Sequence, residues 1–325
     1  MKALICREFG PIENLALEEV PDPQPGTGEV LIQSRFAALN FPDALTVQGR
    51  YQFRPELPFV PGGESAGTIE AVGADVEGLA PGDRVIAMGL SGAFAGKRVA
   101  PAADVLPIPD DMPLDAAAAL MVAHGTSYYA LKQCGKLQAG ETLVVLGAAG
   151  GVGLAAVELG VAMGARVIAA ASTDEKLELA GEAGAEAGIN YSTADLKAEI
   201  KRLTDGRGAD VVYDPVGGEY SEPALRATGW DGRFLVVGFA AGDIPRIPLN
   251  LVLLKNNAIQ GVFYGVWAKR DPAGNDENNR ELFDWFRAGQ IRPRITATYP
   301  LDASAKAFEI MGSRRAMGKI LIDLA

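Results

Sequence analysis

The chain is poor in the residues that build metal sites and disulfide frameworks. Among 325 residues there are two cysteines, Cys6 and Cys134, and a single histidine, His124. Two thiols so far apart in sequence form no disulfide framework and fit a reducing compartment. With one histidine, the usual soft donors for a three-ligand zinc site are missing. Basic residues are outnumbered, 30 Lys and Arg against 41 Asp and Glu, for a formal net charge of -11. That balance lacks the basic face of a nucleic-acid binder and disfavours anionic membrane surfaces.

Long uninterrupted apolar runs are missing as well. The most apolar stretch, 143–171, is broken by Glu158, Arg166 and several glycines, which argues against a membrane span. Lys2, Arg7 and Glu8 interrupt the start before any apolar core long enough for a signal peptide, so a cytoplasmic location is expected. No repeat, low-complexity tract or long charge run is present. A hydrophobic fraction of 48% with 22% charged residues is that of a globular protein, and the length is enough for two cores.

What the chain does contain centres on residues 142–172. The apolar run Leu143-Val144-Val145-Leu146 ends at Gly147 and opens into Ala148-Ala149-Gly150-Gly151-Val152-Gly153. A helix-length segment, 154–163, and a second apolar run, 167–171, follow. Strand, glycine turn, helix and strand in this order make one βαβ unit; dinucleotide binding is expected of it, the alternative being glycines that only form an ordinary packing turn. Gly150 lets the backbone approach a pyrophosphate, and Gly153 lets helix pack on strand. The helix N-terminus offers unpaired N–H groups to the anion. The strict G-x-G-x-x-G pattern has Ala148 at its first position.

The end of the second strand selects the cofactor. An NAD site places an acid there for the ribose 2′-hydroxyl, whereas a 2′-phosphate needs the acid absent and cations near. The strand ends Ala170-Ala171-Ser172-Thr173, with Lys176 one turn further on. NADP is therefore expected, with Ser172 and Lys176 as phosphate ligands. The alternative is a solvated first turn in which Lys176 pairs with Asp174 or Glu175.

Residues before 118 are rich in turns and short β signals, with strands expected at 2–6, 29–38, 65–72, 84–88 and 97–100 and a short helix at 41–47. From about 120 to 263 strands and helices alternate, with helices at 126–134, 174–183 and 195–203 and strands at 209–214, 234–237 and 258–263. That alternation predicts a doubly wound parallel sheet with Gly147, Ser172, Asp214 and Gly238 along the rim where ligands bind. The tail, with helices at 278–288 and 301–311 and strands at 295–299 and 319–322, is expected to return to the first domain. The cleft between the domains is the default substrate site.

Several segments together carry a resemblance. They are Ala38-Leu39-Asn40-Phe41-Pro42-Asp43, Leu57-Pro58-Phe59-Val60-Pro61-Gly62-Gly63-Glu64-Ser65-Ala66-Gly67 and Pro81-Gly82-Asp83-Arg84-Val85. The turn from Gly147 to Gly153, Asp210-Val211-Val212-Tyr213-Asp214-Pro215-Val216-Gly217-Gly218 and Gly318-Lys319-Ile320 complete the set. In this order they resemble the zinc-free, zeta-crystallin-like quinone oxidoreductase branch of the medium-chain dehydrogenase/reductase superfamily. The resemblance implies an α/β chain: a GroES-like catalytic domain over 1–121 and 264–325, and a Rossmann domain binding NADPH over 122–263. Zinc-using relatives have a cysteine at the position of Asn40 and a histidine at that of Gly63, so no metal is expected here.

By the same resemblance, Asn40, Tyr51 and Thr126 line the catalytic cleft. Gly150, Gly151 and Val152 hold the pyrophosphate, and Ser172, Lys176, Tyr191 and, more weakly, Arg315 hold the 2′-phosphate. Gly238, Phe239 and Phe263 contact the nicotinamide and its ribose. Tyr51 is either a proton donor or a stacked aromatic without chemistry, and Asn40 with Asp43 alternatively caps the helix at Phe41. Asp214 is expected to fix a turn, and His124 to be structural or near the cofactor.

The implied activity is NADPH-dependent hydride transfer to a quinone, with a small molecule as the only partner besides a second copy pairing along 258–263. The alternatives are an enone, acrylate or enoyl-thioester reductase, and a non-catalytic nucleotide sensor.

Overall fold

The computed structural model describes residues 1–325, which divide into two compact units: Met1–Val122 with Pro293–Ala325, and Ala123–Arg292. In the first unit, a seven-stranded sheet runs in the order Ile295–Pro300, Lys319–Asp323, Glu29–Leu39, Glu64–Val72, Arg84–Met88, Val105–Pro107, with Lys97–Pro101 also paired to Glu29–Leu39. The Glu29–Leu39 strand is the spine of the sheet, antiparallel to its neighbours Lys319–Asp323, Glu64–Val72 and Lys97–Pro101. Its inward residues pack with Phe94, Phe308, Ile320 and Ile322 in one core and with Val85 and Ala100 in another. The helix Phe41–Val47 begins where expected, with Pro42 in its first turn and the Asp43 carboxylate accepting from the Asn40 N–H at 2.7 Å.

The second unit holds a six-stranded, all-parallel sheet in the order Ala187–Asn190, Arg166–Ala171, Thr142–Leu146, Ala209–Asp214, Thr228–Val236, Ala258–Gly261. Thr142–Leu146 is buried at every position, as a strand covered by helices on both faces must be. The strand order reverses beside it, the topological switch point at which such sheets bind ligands. Ala258–Gly261 is an edge strand, exposed at all four positions. No helix is long and apolar enough to cross a membrane.

The division between units departs from the expected one. Residues 264–292 belong with the nucleotide-binding unit, so its boundary falls at 292 and not at 263. Side-chain packing gives the reason. Trp267 of the helix Tyr264–Arg270 stacks on Tyr129, ring centroids 4.4 Å apart. Trp285 of Pro272–Arg287 packs edge-on against Tyr128, and Glu281 accepts from both Lys132 Nζ and the Tyr128 hydroxyl. The helix expected over 126–134 is α-helical only over Thr126–Tyr129 and widens to π geometry over Ala130–Cys134, as it also does over Met121–Gly125.

Candidate dinucleotide and acceptor sites

The glycine turn has the geometry of an anion cradle. Gly150 is the N-cap of the helix Gly151–Ala162 and caps it with no side chain, leaving the first-turn N–H groups available to a ligand. A Cβ on Gly153 would lie 2.2 Å from the Gly147 carbonyl oxygen, so only glycine lets the helix approach the turn. Ser127 buttresses the turn. Its hydroxyl donates to the Val152 carbonyl at 2.9 Å and bonds the buried Tyr213 hydroxyl at 2.8 Å. Thr126, half-buried beside Ser127, is thereby held next to the turn.

At the end of the second strand, Lys176 Nζ donates to Ser172 Oγ at 3.2 Å. Burial holds the Lys176 ammonium below the usual lysine range, opposed by the Glu175 carboxylate. Tyr191 is tied to this place by its N–H on the Ala171 carbonyl, and Ser192 by its hydroxyl on the Ser172 carbonyl at 2.9 Å. Ser172, Lys176 and Tyr191 are thus brought together at an acid-free strand end. Tyr191 also packs on Tyr220, centroids 4.3 Å apart, at the wall of a cavity of about 540 Å³ that Lys197, Arg226 and Arg246 help to line.

Gly238 and Phe239 follow the Thr228–Val236 strand, and their loop lies along residues 214–218: the Val237 and Gly238 N–H groups both bond the Asp214 carbonyl. Asp214 is a turn-fixing residue. One carboxylate oxygen accepts from the Val216 and Gly217 N–H groups and the other from Ser221 Oγ at 2.5 Å. Phe263 is 44% exposed at the start of the helix Tyr264–Arg270. Arg315 belongs to the other unit, where it pairs with Glu309 at 3.1 Å. His124 is buried, its Nε2 bonded to Glu158 at 2.9 Å on the third turn of Gly151–Ala162, a structural contact.

In the first unit, Asn40 and Tyr51 lie around a buried charged cluster that sequence reasoning passed over. Glu64 is fully buried and Lys319 is 3% exposed. Lys319 Nζ bonds Glu64 Oε2 at 3.0 Å and Asn40 Oδ1 at 2.7 Å. Both residues lie in segments that carry the resemblance, but 255 positions separate them and nothing local pairs them. Burial drives the Asp43 carboxyl up to about 7, against the pull of the Asn40 and Gly63 N–H groups and the Lys319 charge. Burial, then the Asp43 charge, raises the Tyr51 phenol, which therefore keeps its proton at neutral pH.

A zinc ion does not suit these residues. The Lys319 ammonium already occupies the Asn40 oxygen, and no group of three or more His, Cys, Asp or Glu side chains is placed to hold a metal. A Cβ at Gly63 would lie 2.7 Å from the Gly89 carbonyl oxygen, so a ligating side chain has no room there.

Comparison with known proteins agrees with this architecture. Residues 26–110 match the alcohol dehydrogenase GroES-like domain and residues 151–276 the zinc-binding dehydrogenase domain. The chain is 38% identical to a quinone oxidoreductase-like protein 2 homolog of Nematostella vectensis, over 99% of its length and 88% of the relative's. It is 32% identical to a 2-haloacrylate reductase of Burkholderia, over 99% and 98% of the two chains. The Escherichia coli quinone oxidoreductase crystallised with NADPH superposes with a TM-score of 0.94 at 28% identity, covering 99% of this chain and all of that one. The chain therefore belongs to the zinc-free quinone oxidoreductase branch of the medium-chain dehydrogenase/reductase superfamily, a GroES-like domain joined to a Rossmann domain. It is an oxidoreductase.

Proposed function

We propose that the chain is an NADPH-dependent, zinc-independent reductase that transfers hydride to quinones. The observation that carries the cofactor choice is the Lys176–Ser172 pair at a strand end without an acid, beside Tyr191. The Escherichia coli structure with NADPH supports the same choice. Bound NADPH supplies the hydride. The chain supplies the rest: Gly151 and Val152 receive the pyrophosphate on backbone N–H groups, Gly150, whose own N–H bonds the Gly147 carbonyl, lets the backbone come close to it, and Ser172, Lys176 and Tyr191 hold the 2′-phosphate. Gly238, Phe239 and Phe263 border the nicotinamide end, with Thr126 beside the turn.

Asn40 and Tyr51 face the acceptor's oxygen. A quinone that accepts hydride becomes a hydroquinone anion, which takes its proton from Tyr51 or from water. A second reading, reduction of an enone or acrylate, rests on the protonated Tyr51 phenol, because hydride delivered to a β-carbon demands a proton at the α-carbon. The 2-haloacrylate reductase relative is in keeping with it.

The proposal places the enzyme in the cytoplasm, in line with its free thiols. It also makes the enzyme a homodimer joined edge to edge at Ala258–Gly261.

The deciding experiment is anaerobic oxidation of NADPH, with NADH alongside, by an ortho-quinone and by an α,β-unsaturated ketone. Quinone turnover that survives Tyr51→Phe supports the first reading. Turnover with the enone alone, lost by about 10²- to 10⁴-fold in Tyr51→Phe, supports the second. Tight NADPH binding with no turnover would leave a nucleotide sensor.

A further inference from the structure

The Gly63-Glu64 and Gly318-Lys319 segments have no part in the reaction as described, yet the fold brings them to one point beneath Asn40. Lys319 Nζ donates to Asn40 Oδ1 at 2.7 Å and to Glu64 Oε2 at 3.0 Å. That same Glu64 oxygen accepts from Asn40 Nδ2 at 3.2 Å, and the other Glu64 oxygen accepts from the Val122 N–H at 2.8 Å. The Asn40 backbone is fixed separately by its N–H on Asp43 Oδ2.

A carboxamide has two nearly isosteric states related by a half-turn. Here a cation faces its oxygen and a carboxylate faces its nitrogen. The reversed state would set N–H against ammonium and oxygen against carboxylate, so the ion pair encodes one orientation only.

Burial makes this device costly, since an apolar pair of the same shape serves stability as well or better. Its consequence for Asn40 is specific. One amide hydrogen is taken by Glu64, and the other has only the Ala38 carbonyl at 3.4 Å, a long and weak partner. That second hydrogen is the one the side chain can give to an acceptor's oxygen. The ammonium on Oδ1 polarises the amide and strengthens that donor.

We propose that Lys319 and Glu64 are positioning residues of the reductase: their ion pair locks the Asn40 carboxamide in the flip state that offers its second, weakly bonded N–H to the substrate. The proposal rests on the reductase reading for its kinetic consequence, but the lock itself is a property of the free protein and is testable without turnover.

The experiment compares the native protein with Lys319→Met and with the double variant Lys319→Met/Glu64→Gln. The double variant keeps the shape while leaving no lone buried charge, and it carries the test if the single variant fails to fold. The first readout is the pair of Asn40 side-chain N–H signals in the ¹⁵N-labelled, cofactor-free protein, assigned by their loss in Asn40→Asp. The second is kcat and KM for the acceptor that the native enzyme turns over, with NADPH affinity measured directly.

We expect two well-separated, immobile amide protons in the native protein and mobile, water-exchanging ones in the variants. The expected kinetic change is a fall in kcat of about 10- to 100-fold, as for a misplaced reacting group, with NADPH affinity unchanged. Retention of the native amide signature and kcat in the folded double variant would overturn the proposal. So would a native Asn40 amide that is already mobile. If the native enzyme reduces no acceptor, the reductase reading fails, and the amide signals alone decide whether the lock exists.

Discussion

Replacing Lys176 with methionine removes one charge from the acid-free strand end while keeping the stem that packs there. The native ammonium lies 3.2 Å from Ser172 Oγ, and burial has already stripped part of its hydration. A charge-assisted hydrogen bond of this kind contributes about 1.5–3 kcal/mol. Lys176→Met is therefore expected to weaken NADPH binding by roughly 10- to 150-fold. NADH, without the 2′-phosphate, should bind the variant as it binds the native protein. Titration of both nucleotides, followed by calorimetry or nicotinamide fluorescence, gives the ratio directly. Because the folded-state pKa of Lys176 is depressed, its charge is lost earlier than an ordinary lysine's as pH rises, so NADPH affinity should fall on the alkaline side while that for NADH stays flat. Equal weakening of both nucleotides, or an unchanged ratio, would refute the phosphate role.

Asp43, raised to about 7, binds a proton in the folded state that it releases near 3.8 when unfolded. Its contribution is fully present below pH 3.8 and is lost as pH rises through 7, up to about 4 kcal/mol for a shift of this size. Asp43→Asn should flatten that slope in urea unfolding at pH 5 and pH 8, and identical slopes would contradict the assignment. Gly153→Ala drives a methyl group into the Gly147 carbonyl, with an expected loss of about 1–3 kcal/mol of stability and weaker binding of both nucleotides. A thermal melt and a titration that match the native protein would count against the cradle. Ile259→Lys puts a charge on the exposed edge strand and should turn a dimer into a monomer in sedimentation; a native protein that is already monomeric at working concentration removes the premise.

The parts of the fold legible in the sequence are those whose signals are local. The helix at Phe41 announces itself through Asn40, Pro42 and Asp43, and the strands Arg84–Met88 and Ala209–Asp214 through short apolar runs ended by turn residues. The strand Thr228–Val236 reads as starting late because Gly229, Asp231 and Gly232 look like a turn; they accompany a shift in register against Ala209–Asp214. Ala187–Asn190 goes unseen, being four residues with a glycine among them. The placement of 264–292 depends on which aromatic partners Trp267 and Trp285 find, and their own sequence does not say. For the candidate site, the cofactor end follows from the missing acid and Lys176. The Lys319–Glu64 pair does not, because both are individually ordinary charged residues and only the antiparallel pairing of Glu29–Leu39 with Lys319–Asp323 on one side and Glu64–Val72 on the other brings them together.

That pairing also has a consequence for the order of synthesis. Residues 36–39 of the early strand are translated long before Lys319–Asp323, the strand that covers their open edge. At about 5–20 residues per second, roughly 15 to 60 seconds separate the two events. Before that strand emerges the nucleotide-binding unit, one continuous stretch, is already complete at residue 292, while the first unit still waits with a gap in its sheet and Glu64 without its counter-ion. A nascent chain stalled before residue 319 should then be protease-resistant over 123–292 and cleavable before residue 122.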